Sequence, residues 1–344
     1  MQSNPSRSTS PFTIFFLILP FGISSGFASV TLPFELTRVG FPVAVSASIV
    51  AIGISSNIWR FLWGPVADLT LTPRRWYLIG DIAGAVTLFL LGFMPLRLNA
   101  VAALTVVVFI SQVASSLVAL PLGGLMAYTV PDAEKGRAAG WYQAGNLGGA
   151  GLGGGAGVWL ASHYSITIAA AVLAVAMMAC ALALFFVPDV RIAHEGTLGK
   201  KLREIGTDFR DLLRSPIALF AIVLVSSPVG AGAASNLWSA VAPDWRASAD
   251  TVALVTGALS GVASAIGCVL GGWIADRVGR WWSYLGAGVF MAVVATAMAA
   301  AARTTGVYST GVLLYAESAL GVGFTALFLV ALGRIKAAGA KARA

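Results

Sequence analysis

Two ionisable groups set inside apolar stretches are where this 344-residue sequence is best equipped to do chemistry. Glu317 lies about ten residues into the stretch 308–333, among apolar and small residues plus Tyr315 and Ser318. Arg60 lies in the stretch 42–67 between Trp59 and Phe61, with Trp63 one turn on. A charge buried at such depth in an apolar medium is expensive, so each group is a candidate for function by default. A carboxyl group in that position can take up a proton and release it as its surroundings alternate between dry and wet. Glu317 reads either as a coupling or substrate group or as a neutral, hydrogen-bonded structural one. Arg60 reads either as a substrate contact or as a side chain snorkelling to headgroups. Asp81, close to Arg74 and Arg75 in sequence, is expected to form an interfacial ion pair, and Glu35 is expected to gate or to be hydrated.

A second kind of chemistry comes from a segment that occurs twice. Gly271, Gly272, Trp273, Ile274, Ala275, Asp276, Arg277, Val278, Gly279 and Arg280 follow one apolar stretch and precede another. Gly64, Pro65, Val66, Ala67 and Asp68, followed by Arg74 and Arg75, occupy the same setting earlier in the chain. Each copy ends an apolar helix with small residues, places a carboxylate at a membrane edge and adds guanidinium groups suited to anionic headgroups.

The elements that must position these groups are membrane helices. Hydrophobic residues make up 58% of the sequence and charged residues 10%, too few charges to solvate a soluble domain of this length. The apolar runs reach the roughly 20 residues needed to cross a hydrocarbon core. Ten spans are predicted: 12–36, 42–67, 76–96, 99–129, 138–162, 165–187, 216–242, 251–274, 282–302 and 308–333, an all-α polytopic protein. With the N-terminus in the cytoplasm, 17 of the 21 loop and tail cations fall inside, which sets the orientation. The run from Phe12 is long enough to span and reads as an uncleaved helix. Between the sixth and seventh spans, Leu198, Leu202, Ile205, Phe209, Leu212 and Leu213 recur at helical spacing among charges, which predicts an amphipathic interfacial helix in a linker at 188–215. That linker divides a six-helix bundle at 1–187 from a four-helix bundle at 216–344.

Gly145, Gly149, Gly153 and Gly157 recur every four residues in the fifth span, with Gly148, Gly151, Gly154 and Gly155 beside them. Intervals of four put glycines on one helix face, where a partner backbone can approach closely. Gly257, Gly261 and Ala265 in the eighth span offer a matching ridge.

Six spans, a cytoplasmic linker and a second set of spans, with Gly-x-x-x-Asp after the second span of each set, resemble the major facilitator superfamily of secondary transporters. The segment Gly271–Arg280 matches the superfamily's loop motif closely. The first copy departs from it, because Leu69 to Pro73 replace the usual Arg-x-Gly-Arg run. There Arg60, Phe61, Leu62, Trp63, Gly64, Pro65, Val66, Ala67 and Asp68 look like the Lys-Phe-Leu-Trp-x-Pro-x-x-Asp signature of the branch holding muropeptide permeases and acetyl-CoA transporters, with Arg60 in place of Lys. Gly22, Ile23, Ser24, Ser25 and Gly26 also resemble that branch, whereas 119–130 lacks the acidic residues that muropeptide permeases tend to carry.

The resemblance implies a two-bundle fold that moves a small solute by alternating access, possible proton coupling, and a gating role for Gly64, Asp68, Arg74, Arg75, Gly272, Asp276, Arg277 and Arg280. It implies that the fifth and eighth spans face each other as a sliding contact. It also places Gln112, Ser115, Ser116, Asn236 and Trp238 on cavity-lining helices, so that Glu317, Arg60, Gln112, Asn236 and Tyr315 form the candidate substrate or coupling set. Gln143 and Asn146 suit interhelical hydrogen bonds. The family has twelve spans, and the chain accordingly reads as a fragment lacking roughly 45 to 60 residues that would form a last helix pair. On that reading Asp68 lacks a partner helix terminus and Asp276 keeps one, against the start of the fifth span.

Competing readings are weaker. Gly22-x-Ser24-x-Gly26 fits a nucleophile elbow, yet His163 and His194 lie in loops and no strand precedes it. Gly149, Gly151 and Gly154 satisfy a dinucleotide pattern, again without a strand. Cys180 and Cys268 are lone apolar-span thiols, so no metal site, cofactor or disulfide is expected. The net charge of +8 is spread over short loops and does not suggest nucleic acid. The principal alternative is a transport-incompetent relative acting as an assembly factor or receptor. The expected setting is the plasma (inner) membrane, both termini cytoplasmic, as a monomer.

Overall fold

A computed structural model of the chain describes residues 9–131, 134–188, 203, 206, 207, 210, 245–248, 251, 254, 255 and 259–314; at 43, 58, 61, 62, 65, 68, 69 and 280 the backbone alone is described. Among the described residues every regular element is helical. Helix α1 comprises Pro11–Gly26, a π-helical turn at Phe27–Thr31 and Leu32–Arg38. It is followed by α2 (Val43–Thr70), α3 (Pro73–Leu91) and α4 (Val101–Thr129). Helix α5 comprises Lys135–Gly151, a second π-helical turn at Leu152–Ala156 and Gly157–His163. Helix α6 runs over Ile166–Cys180 and tightens into a 3₁₀ turn at Ala181–Phe186. After it come α7 (Ser260–Val278), α8 (Arg280–Ala300) and α9 (Thr305–Val312). Helices therefore occupy all six stretches expected as spans before residue 188. Five helices, at Pro11–Arg38, Leu98–Thr129, Ile166–Phe186, Ser260–Val278 and Trp281–Ala300, are long and apolar enough to cross a membrane among the described residues.

Local sequence explains where helices begin. Pro11 and Pro73 stand in first turns, where a missing N–H is harmless. Thr72 accepts the Arg75 N–H at 3.4 Å, Ser165 that of Ile168 at 3.1 Å and Thr304 that of Val307 at 3.3 Å. Between α7 and α8 the chain turns at Gly279 with φ 96°, a conformation that disfavours any side chain.

The chain divides into two units, 1–131 with 145–192, and 132–144 with 193–344, so the dividing point in α5 lies between Ala144 and Gly145. In the first unit α4 packs against α1, α2 and α3, and α3 packs against α6. Its core joins Phe27, Leu32, Leu36, Leu88, Leu91, Leu104, Val108, Leu173 and Met177, all buried. Large apolar side chains such as Val86, Phe89, Val172 and Val175 point outward, as expected of helices that face lipid. In the second unit Val255, Met291, Val294, Met298, Tyr308 and Val312 form a smaller core.

Candidate functional site

The glycines of α5 shape the first unit. Gly145, Gly149 and Gly153 rest against the backbone of α1 at Phe15, Leu19 and Ile23, so closely that a Cβ on any of them would overlap a carbonyl oxygen or a neighbouring side chain. From the other side, Gly22 and Gly26 of α1 rest against the backbone of Asn146 and Ala150. Within the first unit the close partner of this glycine face is thus α1, and nearer the start of the same span Gly140 lies against Cys268 and Val269 of the eighth span. Gly261 is buried in α7, and Gly257 lies outside the described residues. The seam ends where the two π turns meet: Thr31 Oγ1 donates to the carbonyls of Gly153 (2.8 Å) and Gly154 (3.1 Å), and Gly157 leaves room for that hydroxyl. A π turn leaves carbonyls without their usual helical partner, and Thr31 supplies a donor.

One face away, α1 and α4 are joined by polar groups. Gln112 Nε2 donates to Ser24 O (3.2 Å) and to Ser24 Oγ (3.1 Å), while Ser115 Oγ donates to Ser24 Oγ at 2.7 Å. Gln112, Ser115 and Ser116 are all buried, and Ser116 Oγ bonds Val113 O of its own helix. Gly53 of α2 lies against Val108 and Gln112, which brings α2 onto the same cluster.

Two turns further along α2, Arg60 Nη2 donates to Asn57 Oδ1 at 2.6 Å, and the guanidinium sits 4.9 Å from the centroid of the Phe21 ring on α1. Helix α2 continues ten residues beyond Arg60, about 15 Å. The side chain bonds one turn toward the opposite end of the helix, away from the edge to which snorkelling would carry it. Arg60 and Asn57 thus form one polar pair over Phe21 of α1, and Ser24, one turn along α1, belongs to the separate buried cluster with Gln112 and Ser115. Asn57 was not singled out from sequence, and Ser24 was noted only within Gly22–Gly26; the spacing of Asn57 from Arg60 was the available signal.

The two motif copies have different surroundings. In the second unit, Gly272 rests on Gly136 and Gly140 of α5, and the Asp276 carboxylate lies against Gly136 in the first turn of that helix. Helix N-termini favour negative charge. Arg277 lies 3.9 Å from the centroid of the Trp273 ring. Helix α8 starts at Arg280, whose side chain is outside the described residues. In the first unit, no described atom lies within 4 Å of a Cβ placed on Gly64, and the Asp68 side chain is outside the described residues. Arg74 Nη2 donates to the Leu184 carbonyl at 3.1 Å, Arg75 is exposed, and Trp76 Nε1 donates to Thr70 Oγ1 at 3.1 Å.

Asp81 corrects an expectation. It forms no ion pair with Arg74 or Arg75; it is fully buried between helices, and among the described residues neither carboxylate oxygen has a hydrogen-bond partner. The reason is geometric, because α3 begins at Pro73 and its eighth residue beyond that faces inward while Arg74 turns to α6. Glu35 pairs with Arg38 at 3.0 Å. Glu317, Tyr315, Asn236 and Trp238 lie outside the described residues.

The sequence matches the family described as Major Facilitator Superfamily over residues 12–341. The chain belongs to the Major Facilitator Superfamily. As a superfamily member it is an integral membrane protein and a secondary transporter of small molecules. Its fold is similar to that of a bacterial homologue of the iron transporter ferroportin in an outward-facing state with soaked iron, at 17% identity and a TM-score of 0.60, covering 94% of this chain and 83% of the other. A proton:xylose symporter of the same superfamily bound to 6-bromo-6-deoxy-D-glucose is similar at 16% identity and a TM-score of 0.61, covering 93% and 86%. Those identities speak for the superfamily fold and leave the solute open. No curated protein matches the sequence.

Proposed function

We propose that this chain is a proton-coupled superfamily transporter working by alternating access, and that Arg60 meets the solute. The observation that carries the reading is the position of the Arg60 guanidinium, ten residues inside the end of α2, over the Phe21 ring and hydrogen-bonded to Asn57. A guanidinium held by an amide and an aromatic ring suits a solute with an anionic or strongly hydrogen-bonding group. The two structural neighbours, a homologue of an iron transporter and a proton:xylose symporter, point to different solutes, so neither solute is transferred.

In this reading the candidate set remains Arg60 and Gln112 with Glu317, Asn236 and Tyr315, and the Gly64–Arg75 and Gly272–Arg280 segments gate the cycle. The bundles divide at the linker 188–215, the chain is a monomer in the plasma (inner) membrane with both termini cytoplasmic, and its basic loops meet anionic headgroups.

A thermal-shift screen of peptides, sugars, nucleotides and drugs on the purified chain identifies a stabilising compound, and uptake of that compound into proteoliposomes with and without a proton gradient tests the reading. Arg60→Gln is expected to abolish the shift and the uptake together. Uptake by Arg60→Gln equal to that of the parent would remove Arg60 from the solute site.

A further inference from the structure

We propose that Asp81 is a proton-carrying group that controls the packing of α3 against α6; this rests on the proton-coupled reading above and names a group within it. Three observations on the first unit meet at one place. Both Asp81 oxygens are buried without a hydrogen-bond partner, and so is the hydroxyl of Tyr77, one turn back on the same face of α3. Both residues have no exposed surface. Cys180 on α6 lies within electrostatic reach of both. Immediately after Cys180, α6 leaves α-helical geometry for a six-residue 3₁₀ end, Ala181–Phe186, longer than such turns usually run and with poorer hydrogen-bond geometry than the helix before it. Arg74 is tied to the Leu184 carbonyl inside that turn.

The chemistry follows from burial. A carboxylate shut between helices without hydrogen bonds is costly, whereas a carboxyl group that has gained one proton is neutral and can stay. When the proton leaves to water, the bare charge must find solvent, and the element positioned to yield is the 3₁₀ end of α6. A cleft of about 410 Å³ between the first turns of α1 (Phe12, Thr13, Phe16) and the end of α6 (Cys180, Phe186) gives that end room to move. The groups that bear on Asp81 from the elements around it can be named. On α3 these are Tyr77 and, tied to α6, Arg74; on α6 there is Cys180. Between Val101 and Thr129 α4 holds no charged residue, and Tyr128 is exposed. The charges of α1, Glu35 and Arg38, are at its far end and paired with each other; on α2 Arg60 is turned to Phe21 and Asn57, and Asp68 is outside the described side chains. Proton occupancy at Asp81 thus biases two arrangements of α3 and α6, which is what coupling requires of a bistable element.

The test uses the full chain in lipid nanodiscs, with hydrogen–deuterium exchange of the 181–186 amides followed from acid to alkaline pH and corrected for intrinsic exchange rates. The parent is expected to show several-fold faster exchange in this segment at alkaline pH than at acid pH, with the change absent in Asp81→Asn, which stays neutral throughout. Tyr77→Phe, which removes the neighbouring hydroxyl and keeps the charge, is expected to retain the change at a displaced midpoint. The same pH profile in parent and Asp81→Asn overturns the proposal, as does retention of solute-induced proton uptake by Asp81→Asn in proteoliposomes loaded with a pH-sensitive dye and given the compound found by thermal shift. Absence of solute-induced proton uptake in the parent overturns the proton-coupled reading instead. If Asp81→Asn does not fold, Asp81→Glu, which keeps a titrating group at altered reach, must displace the midpoint of the exchange change, and an unmoved midpoint counts against the proposal.

Discussion

The two copies of the glycine–aspartate segment are near-equivalents in sequence and unlike in their surroundings. Gly272 sits against the backbone of Gly136 and Gly140, and Asp276 beside the first turn of α5, whereas Gly64 has open space among the described residues where a side chain would go. The second copy therefore needs its glycine for close approach of two helices, and the first does not need it for packing in this conformation. A repeated motif is thus a repeated local shape whose contacts depend on which helix terminus lies opposite it.

The largest expected difference follows from that contrast. Gly272→Leu must displace α5 from α7 and is expected to destabilise the protein by roughly 1–3 kcal/mol, the usual cost of overpacking, read as a lower unfolding temperature in detergent. Gly64→Ala meets no such obstacle and is expected to be neutral or to stabilise by up to about 1 kcal/mol through helix propensity. Equal losses in the two variants would show that Gly64 is packed in the state that dominates in solution.

A smaller effect is expected in the first copy. Arg74 donates to a carbonyl at the end of α6, so Arg74→Ala removes a charge-assisted hydrogen bond worth about 1.5–3 kcal/mol when well sheltered, and less here because the residue is partly exposed. Arg75→Ala, at an exposed position one residue along, is expected to be nearly silent. Thermal unfolding of the pair separates a structural tether from a headgroup contact, and equal losses for both would favour the headgroup role for each.

How far the sequence carried these contrasts depends on what kind of interaction decided them. Helix positions were legible because long apolar runs have no other stable form in lipid, and α1 to α6 fall where 12–36 through 165–187 were expected. The glycine face at Gly145, Gly149 and Gly153 was legible as a groove, because spacing fixes which residues share a face. Its partner in the first unit, Gly22 and Gly26 of α1, was not, because several helices carry small residues and periodicity cannot choose among them. The π turns and Thr31 were hidden for a similar reason, since a hydroxyl that caps carbonyls looks like any other threonine until the opposing helix is known. Asp81 misled because proximity in sequence to Arg74 and Arg75 suggested an ion pair, while the rotation of α3 turned the carboxylate inward and α6 offered Arg74 a carbonyl.

At the motif's second copy, the next effect down is electrostatic. Asp276→Asn keeps the shape of the side chain and loses the charge that faces the start of α5, which is expected to cost about 0.3–1 kcal/mol at low ionic strength. Asp276 is exposed, so added salt is expected to narrow the gap between variant and parent. An unfolding-temperature difference that is indifferent to salt would assign Asp276 a role through hydrogen bonding and shape alone.

A last effect, of similar size, concerns Arg277. Its guanidinium lies over the Trp273 ring, one turn back on the exposed end of α7, and also in the last turn of that helix, where a cation is favoured. The stacking contact is worth about 0.5–1 kcal/mol at an exposed site. Arg277→Lys retains the charge beside the helix end and loses the flat guanidinium, while Trp273→Leu retains the apolar bulk and loses the ring. If stacking holds Arg277 in place, each single variant lowers the unfolding temperature slightly and the double variant adds nothing further, because the same contact has been removed twice. Additive losses would mean that Arg277 acts through the helix terminus and Trp273 through lipid contact, each independently. The first copy has no aromatic residue at the matching place, where Pro65 stands four residues before Leu69. A coupled pair at Arg277 and Trp273 would therefore make a rigid basic arm a property of the second copy alone.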